Sequence, residues 1–418
     1  MLFFTKHFIR FSILIFALLI VSVSCNPVSN IAGMDISSLY TSNKANNLQV
    51  NQLYNINDSV SAITIAIPAG LIKPDAGTRN YSKRGTLKYE IIGEGKRIGL
   101  IDSASFSIAD TTDYQSYLVH SWTFKAPPGM NYFVKTTYSV PGIQDDFLLL
   151  EFFSKKNHSC QSWFRFQTET GEFLSGNITT YVQPLKLVTE NALSQTMMVK
   201  FYKRNFPTPI PPFVEQYRAL FDYTPDSTFY IELKGGKTAS FVPAHYGFYF
   251  FQPDTSLLQG PTLFIMNSGF PKVTQHSLML ESLRYITSSK EFQHLNSYAV
   301  PKIAVDSFWI VNAGRPDLAT ELIRKYYQRV ETANRLYTSF TEGWKTDRGM
   351  IYIIMGKPAK VFRSFEQELW IYGEYDDTRA LRFYFNKAAN PFSNNDYVLA
   401  RNQNYKTTWY QNVQMWRR

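Results

Sequence analysis

The apolar pattern of this chain changes period once, near residue 272, and that change divides it into a β-rich part and a mixed part. Upstream, Ser61-Ala62-Ile63-Thr64-Ile65-Ala66-Ile67 alternates with period two, as a strand with one buried face must. Strand-length segments recur at 86–92, 98–107, 117–125, 132–139 and 147–153, separated by Gly93-Glu94-Gly95, Pro127-Pro128-Gly129 and Pro141-Gly142. That spacing predicts an antiparallel, immunoglobulin-like β-sandwich over 51–157. A second set at 162–168, 178–182, 197–202, 228–233, 247–251 and 262–266 predicts another over 158–270. Inside it, Asn205-Phe206-Pro207-Thr208-Pro209-Ile210-Pro211-Pro212 carries too many prolines for regular structure.

Downstream the step becomes three to four residues. Residues 277–286 read as a short amphipathic helix. Ser288 and Glu291 have the spacing of a capping box, so a second helix starts there. Residues 302–312 predict a third. Leu322, Tyr326, Val330, Ala333, Tyr337 and Phe340 form one stripe, which predicts a long helix from Pro316 to about residue 340. Pro316 and Asp317 both suit a first helical turn. Three strands are expected after it, at 350–355, 368–373 and 381–386. The predicted fold class is therefore mainly β with a C-terminal α+β module over 271–418: two immunoglobulin-like sandwiches, then helices and a small antiparallel sheet.

The start of the chain carries an address. Lys6 and Arg10 precede an apolar run from Phe11 to Val23, too short for the ~20 residues that span a bilayer but suited to a secretory signal over 1–24. Cys25 then resembles the lipobox cysteine of bacterial lipoproteins, which implies a diacylated, lipid-anchored mature N-terminus. Ser22 departs from the aliphatic residue of that pattern, and plain cleavage after Ser24 is the alternative. Residues 26–50 are rich in Ser and Asn and read as a flexible tether. No acidic run follows Cys25. By resemblance to Bacteroidetes lipoproteins, this favours the periplasmic face of the outer membrane. The only other cysteine, Cys160, is expected to be a small buried strand residue. The net charge of +10 suits acidic partners or phosphate-bearing headgroups, and an exported chain is not expected to meet nucleic acid.

Gly343-Trp344-Lys345-Thr346-Asp347, followed by Arg348-Gly349, is the most distinctive stretch. With Gly356-Lys357-Pro358, Glu368-Leu369-Trp370-Ile371-Tyr372 and Leu381-Arg382-Phe383-Tyr384-Phe385, it resembles the GWxTD-domain proteins, a family best represented in Bacteroidetes. The resemblance covers about residues 270–418. That family has no established activity, so the resemblance implies an address and an architecture rather than a reaction. The order of elements is also similar to that of small lipoprotein subunits of the outer-membrane assembly machinery.

In the motif, Gly343 is expected to take a left-handed conformation ending the long helix. Trp344 would fold back onto that helix, and Thr346 and Asp347 would accept backbone N–H groups. An alternative reading has Asp347 and Arg348 present a polar site to a partner. The five histidines after the signal (His120, His158, His245, His276, His294) show no metal spacing, and no nucleophile elbow or phosphate loop occurs. No catalytic residue, metal or cofactor is expected. Glu366 and Glu368 lie beside a hairpin and are expected to be solvated.

The C-terminal tail, with Tyr405, Trp409, Tyr410, Trp416, Arg417 and Arg418, is a candidate interface. A segment packed back onto its own domain is the other reading. Ser59, Ser103, Thr111 and Ser227 follow Asp in tripeptides resembling the O-glycosylation acceptor motif of Bacteroidetes. The leading functional expectation is a non-enzymatic outer-membrane lipoprotein. It would serve as a scaffold or protein-binding subunit in envelope assembly or secretion, with the sandwiches as spacers. The alternative is a protein that binds or processes envelope glycans.

Overall fold

The computed structural model describes residues 34–40, 48–68, 85–94, 98–108, 117–192, 194–203, 205–215 and 221–417. In the first region, β1 (Gln49–Asn55), β2 (Val60–Pro68) and β5 (Tyr117–Lys125) form a three-stranded sheet in the order β1-β2-β5. The strands β3 (Gly85–Glu94), β4 (Ile98–Ile108), β6 (Asn131–Ser139) and β7 (Phe147–Ser154) form a four-stranded sheet in the order β4-β3-β6-β7. Both are antiparallel throughout. Alternation puts Ile63, Ile65 and Ile67 of β2 in one core with Leu87 and Ile91 of β3 and Tyr132 and Val134 of β6. Tyr89 stacks on Trp122 at 5.6 Å and joins the two sheets.

The second region contains β8 (Arg165–Thr168), β9 (Ile178–Thr179), β10 (Leu185–Val188), β11 (Gln195–Tyr202), β12 (Ser227–Lys234), β13 (Lys237–Thr238), β14 (Gly247–Gln252) and β15 (Thr262–Ile265). These strands hydrogen-bond into one eight-stranded sheet, ordered β8-β10-β13-β12-β11-β14-β15-β9, where the sequence pattern suggested two facing sheets. The sheet curls. Phe166 on β8 and Phe251 on β14 lie 5.1 Å apart although β10, β13, β12 and β11 separate their strands. Strand periodicity fixes which side chains point inward, but not whether the inner faces belong to one sheet or two. The short β10 and β13 carried no detectable pattern.

The C-terminal region runs α1 (His276–Ser282), α2 (Ser289–Asn296), α3 (Pro301–Ala313), α4 (Pro316–Tyr337), α5 (Asp347–Met355), β16 (Lys360–Arg363), β17 (Gln367–Tyr372), β18 (Leu381–Lys387), β19 (Tyr397–Leu399) and α6 (Tyr405–Gln414). The capping box of α2 is present, with Ser288 and Glu291 bonded reciprocally at 3.2 and 2.8 Å. The four strands form one antiparallel sheet in chain order. Residues 350–355, expected as a strand, belong to α5. Thr346 caps that helix and Asp347 opens it. Met350, Ile351, Ile353 and Ile354 are all buried, and so short an apolar run reads equally as a buried strand or a buried helix.

Two expectations about layout are corrected. The stretch 25–50 is not a tether throughout: residues 34–40 dock on the C-terminal sheet, and β1 begins at Gln49. Nor are the β regions spacers strung along the chain. Ile92, Phe133 and Leu150 of the four-stranded sheet join the C-terminal core. The outward-facing Phe248, Phe250 and Phe264 of the eight-stranded sheet share a cluster with Phe340 and Phe392. Among the described residues, no helix is long and apolar enough to cross a membrane.

Candidate functional site at the Gly-Trp-Lys-Thr-Asp loop

The loop joins α4 to α5, and backbone proximity sets its glycines. A Cβ on Gly343 would lie 2.0 Å from the Ala333 carbonyl oxygen, and one on Gly349 would lie 1.9 Å from that of Gly343. Gly343 does not take the expected positive φ. Close approach of two chain segments, rather than helix termination, is the reason for glycine here. Trp344 is 1% exposed. Its N–H donates to Asn334 Oδ1 at 3.2 Å, and its carbonyl accepts from the Tyr285 hydroxyl at 2.7 Å. Lys345 is buried too, and its Nζ reaches Glu281 and Asn205 Oδ1, both at 3.2 Å.

Thr346 Oγ1 accepts from the Gly349 N–H at 3.1 Å and donates to the Gly343 carbonyl at 2.7 Å. The Asp347 carboxylate accepts from the Leu399 N–H at 2.9 Å and from both terminal nitrogens of Arg401, at 2.6 and 3.1 Å. The Leu399 contact ties α5 to β19, and the bidentate pair ties it to the segment just after that strand. Gly356 ends α5 at φ 87°, Pro358 after it is buried between the exposed Lys357 and Ala359, and Arg329 Nη1 caps the carbonyls of Ile353 and Ile354 at 2.9 and 3.0 Å.

Arg348 turns inward and is 1% exposed. Its Nη1 donates to Glu368 Oε2 at 3.2 Å, and its Nη2 donates to the Asn395 carbonyl at 2.9 Å and to the Asn395 side-chain oxygen. The guanidinium lies 4.2 Å from the Tyr397 ring centroid. Glu368 is wholly buried, contrary to the expectation of a solvated charge. It also accepts from Arg363 Nε at 2.8 Å, and from the Tyr40 hydroxyl and Trp370 Nε1 at 2.6 Å each. Burial pushes its carboxyl up, but Arg363, Arg348 and the hydrogen bonds from Tyr40 and Trp370 outweigh this and hold it at about 2. Sequence reading placed Glu368 in solvent and missed Arg363, Asn395 and Tyr40. One signal was available for Glu368: it sits two residues from Trp370, so alternation places both on the core side of the strand.

The motif is therefore joined by a buried ionic knot rather than opened to solvent. Residues 247–418 match a family model described as the GWxTD domain. This part of the chain is a GWxTD domain. The match begins inside the eight-stranded sheet, at β14, so the GWxTD domain includes β14 and β15 of that sheet as well as the α+β module. A comparison with curated proteins gives no match.

The remaining candidates separate by location. Cys25, Thr111 and Arg418 lie outside the described residues. Ser59, Ser103 and Ser227 are exposed on the β regions. The proposed tail interface is corrected: Tyr405, Trp409 and Trp416 are buried in the core of the GWxTD domain. Tyr405 donates to the Arg382 carbonyl at 2.8 Å, and Arg417 pairs with Glu291, holding that carboxyl at about 2. Only Tyr410 keeps a half-exposed ring, leaning on Phe213. Aromatic density signals burial as readily as contact with a partner. Among the described residues, no group of three His, Cys, Asp or Glu could hold a metal ion.

Proposed function

We propose that this protein is a non-enzymatic outer-membrane lipoprotein, anchored through Cys25 and facing the periplasm. It serves as a scaffold or protein-binding subunit in envelope assembly or secretion. The observation that carries the non-enzymatic reading is the use of the motif: the Asp347, Arg348 and Thr346 side chains are all engaged by the fold itself. A surface for a protein partner is available instead on α3, where Ile303, Ile310 and Val311 are 54, 51 and 76% exposed on one side. Affinity purification of the tagged full chain should recover envelope proteins that an Ile310→Asp/Val311→Asp chain does not. Identical partner sets from both would remove α3 as the contact, and recovery of none would count against the scaffold. Mass spectrometry of the native protein should find Cys25 acylated, and an unmodified thiol or a different mature N-terminus would refute the anchor.

One observation favours the glycan reading as second choice. A cleft of about 540 Å³ is lined by Asn57, Asp58, His158, Asn191, Gln195 and Asp254, side chains that suit sugar hydroxyls. Asp58 pairs with His158 at 3.5 Å, and Asp254 is engaged by the N–H and hydroxyl of Ser256. Saturable binding on a glycan array, abolished by Asp58→Ala/His158→Ala, would promote this reading over the scaffold.

A further inference from the structure

We infer that the GWxTD domain carries a peptide-recognition groove along the free edge of β16, and that residues 34–40 of the same chain are its resident ligand. The segment enters through a single antiparallel β-bridge. Asp35 bridges Phe362 in antiparallel fashion, the Ile36 N–H donates to the Val361 carbonyl at 2.8 Å, and Asp35 Oδ1 accepts the Val361 N–H at 3.0 Å. β16 is the edge strand of its sheet, and its outward N–H and C=O groups are a template for such pairing. Ile36 is fully buried. One 3₁₀ turn, Ser37–Tyr40, then delivers Tyr40 into a pocket.

The pocket reads a phenol in particular. Tyr337 and Trp370 form its walls, with ring centroids 5.7 and 5.4 Å from that of Tyr40. At its floor the Tyr40 hydroxyl donates to Glu368 Oε1 and accepts from Arg363 Nη2, each at 2.6 Å. Phenylalanine would fill the same walls but remove one buried hydrogen bond from Glu368 and one from Arg363. Tyr337, Trp370, Glu368 and Arg363 all lie within 247–418, and β7 of the four-stranded sheet also packs against the Ser37–Tyr40 turn, whereas the occupant lies more than two hundred residues upstream of the family match. The GWxTD domain thus brings the paired edge and the tyrosine pocket, β7 adds a further wall, and a separate segment brings the ligand. The chemistry selects an extended peptide with a buried aliphatic side chain and a tyrosine four residues later. This deepens the scaffold reading, and rests on it for the partner being a protein with such a segment.

The test uses the full chain. Ile36→Asp/Tyr40→Ser should empty the groove while near-UV circular dichroism stays native, and a fluorescein-labelled peptide of residues 34–40 should then bind saturably by anisotropy. The unaltered chain should bind that peptide at least about tenfold more weakly, because its own segment competes at high effective concentration. The peptide with Tyr40→Phe should also lose about tenfold. If the double variant does not fold, a chain with a site-specific protease site between residues 41 and 47 gives the answer. After cleavage the resident segment is held without a covalent link and should exchange with labelled peptide. A folded, emptied or cleaved chain that takes up no peptide overturns the proposal. So do equal affinities for the Tyr and Phe peptides, and so does uptake seen only with dimerisation, which would mean exchange between copies. Intact peptide binding with no envelope partner in pull-downs would instead sink the scaffold reading and leave the groove standing.

Discussion

Replacing Glu368 by Gln should expose how much of the C-terminal fold depends on one buried charge. Among the described residues, its carboxylate is the only acidic group paired with both Arg348 and Arg363, and its side chain is 0% exposed. Two routes give the size of the effect. Its carboxyl sits at about 2 against an ordinary 4.5, and at ~1.36 kcal/mol per pH unit that gap is worth about 3 kcal/mol at neutral pH. Independently, breaking a buried ion pair by removing one partner costs roughly 3–5 kcal/mol. Because the folded-state value is depressed, this stability is present above pH 4.5 and is lost as pH falls from 4.5 towards 2. With an m-value of ~3 kcal/mol/M, Glu368→Gln should lower the urea midpoint at pH 7 by about 1 M, followed by tryptophan fluorescence. The gap between wild type and variant should have shrunk by at least about half at pH 3. Equal midpoints at pH 7, or a gap unchanged between pH 7 and pH 3, would refute the reasoning.

Three further outcomes are expected. Gly343→Ala, whose Cβ would meet the Ala333 carbonyl at 2.0 Å, should cost several-fold in soluble yield and ~1–3 kcal/mol or more, whereas Gly99→Ala, with nothing within 4 Å, should be near neutral by thermal unfolding. Trp344→Ala should cost ~3–5 kcal/mol, read as a lower urea midpoint. Glu151, half-buried on β7, is pushed up to about 7 by burial against the pull of Arg363. The folded state therefore holds the extra proton between pH 4.5 and 7, and stability falls as pH rises through that window. Glu151→Gln should raise the urea midpoint at pH 8 and leave it nearly unchanged at pH 5. The opposite order would show that Glu151 is ionised and stabilising.

The sequence alone determined those features whose causes lie within a few residues. Alternation placed the long strands, Ser288 and Glu291 marked the start of α2, and Pro316 with its apolar stripe marked α4. The Gly343–Asp347 motif also located the loop, although its glycine serves close packing rather than a left-handed turn. Tertiary structure decided what depends on distant partners. The sheet of 165–265 curls because Phe166 meets Phe251, which no local pattern encodes. The helix α5 was hidden because a short, wholly buried apolar run reads equally as strand or helix until its neighbours are known. Residues 34–40 read as tether until they were found paired with β16, and Tyr40 meets Glu368 across 328 positions. A buried charge such as Glu368 is affordable only where its counter-ions converge, and convergence is a property of the folded chain, not of any stretch of its sequence.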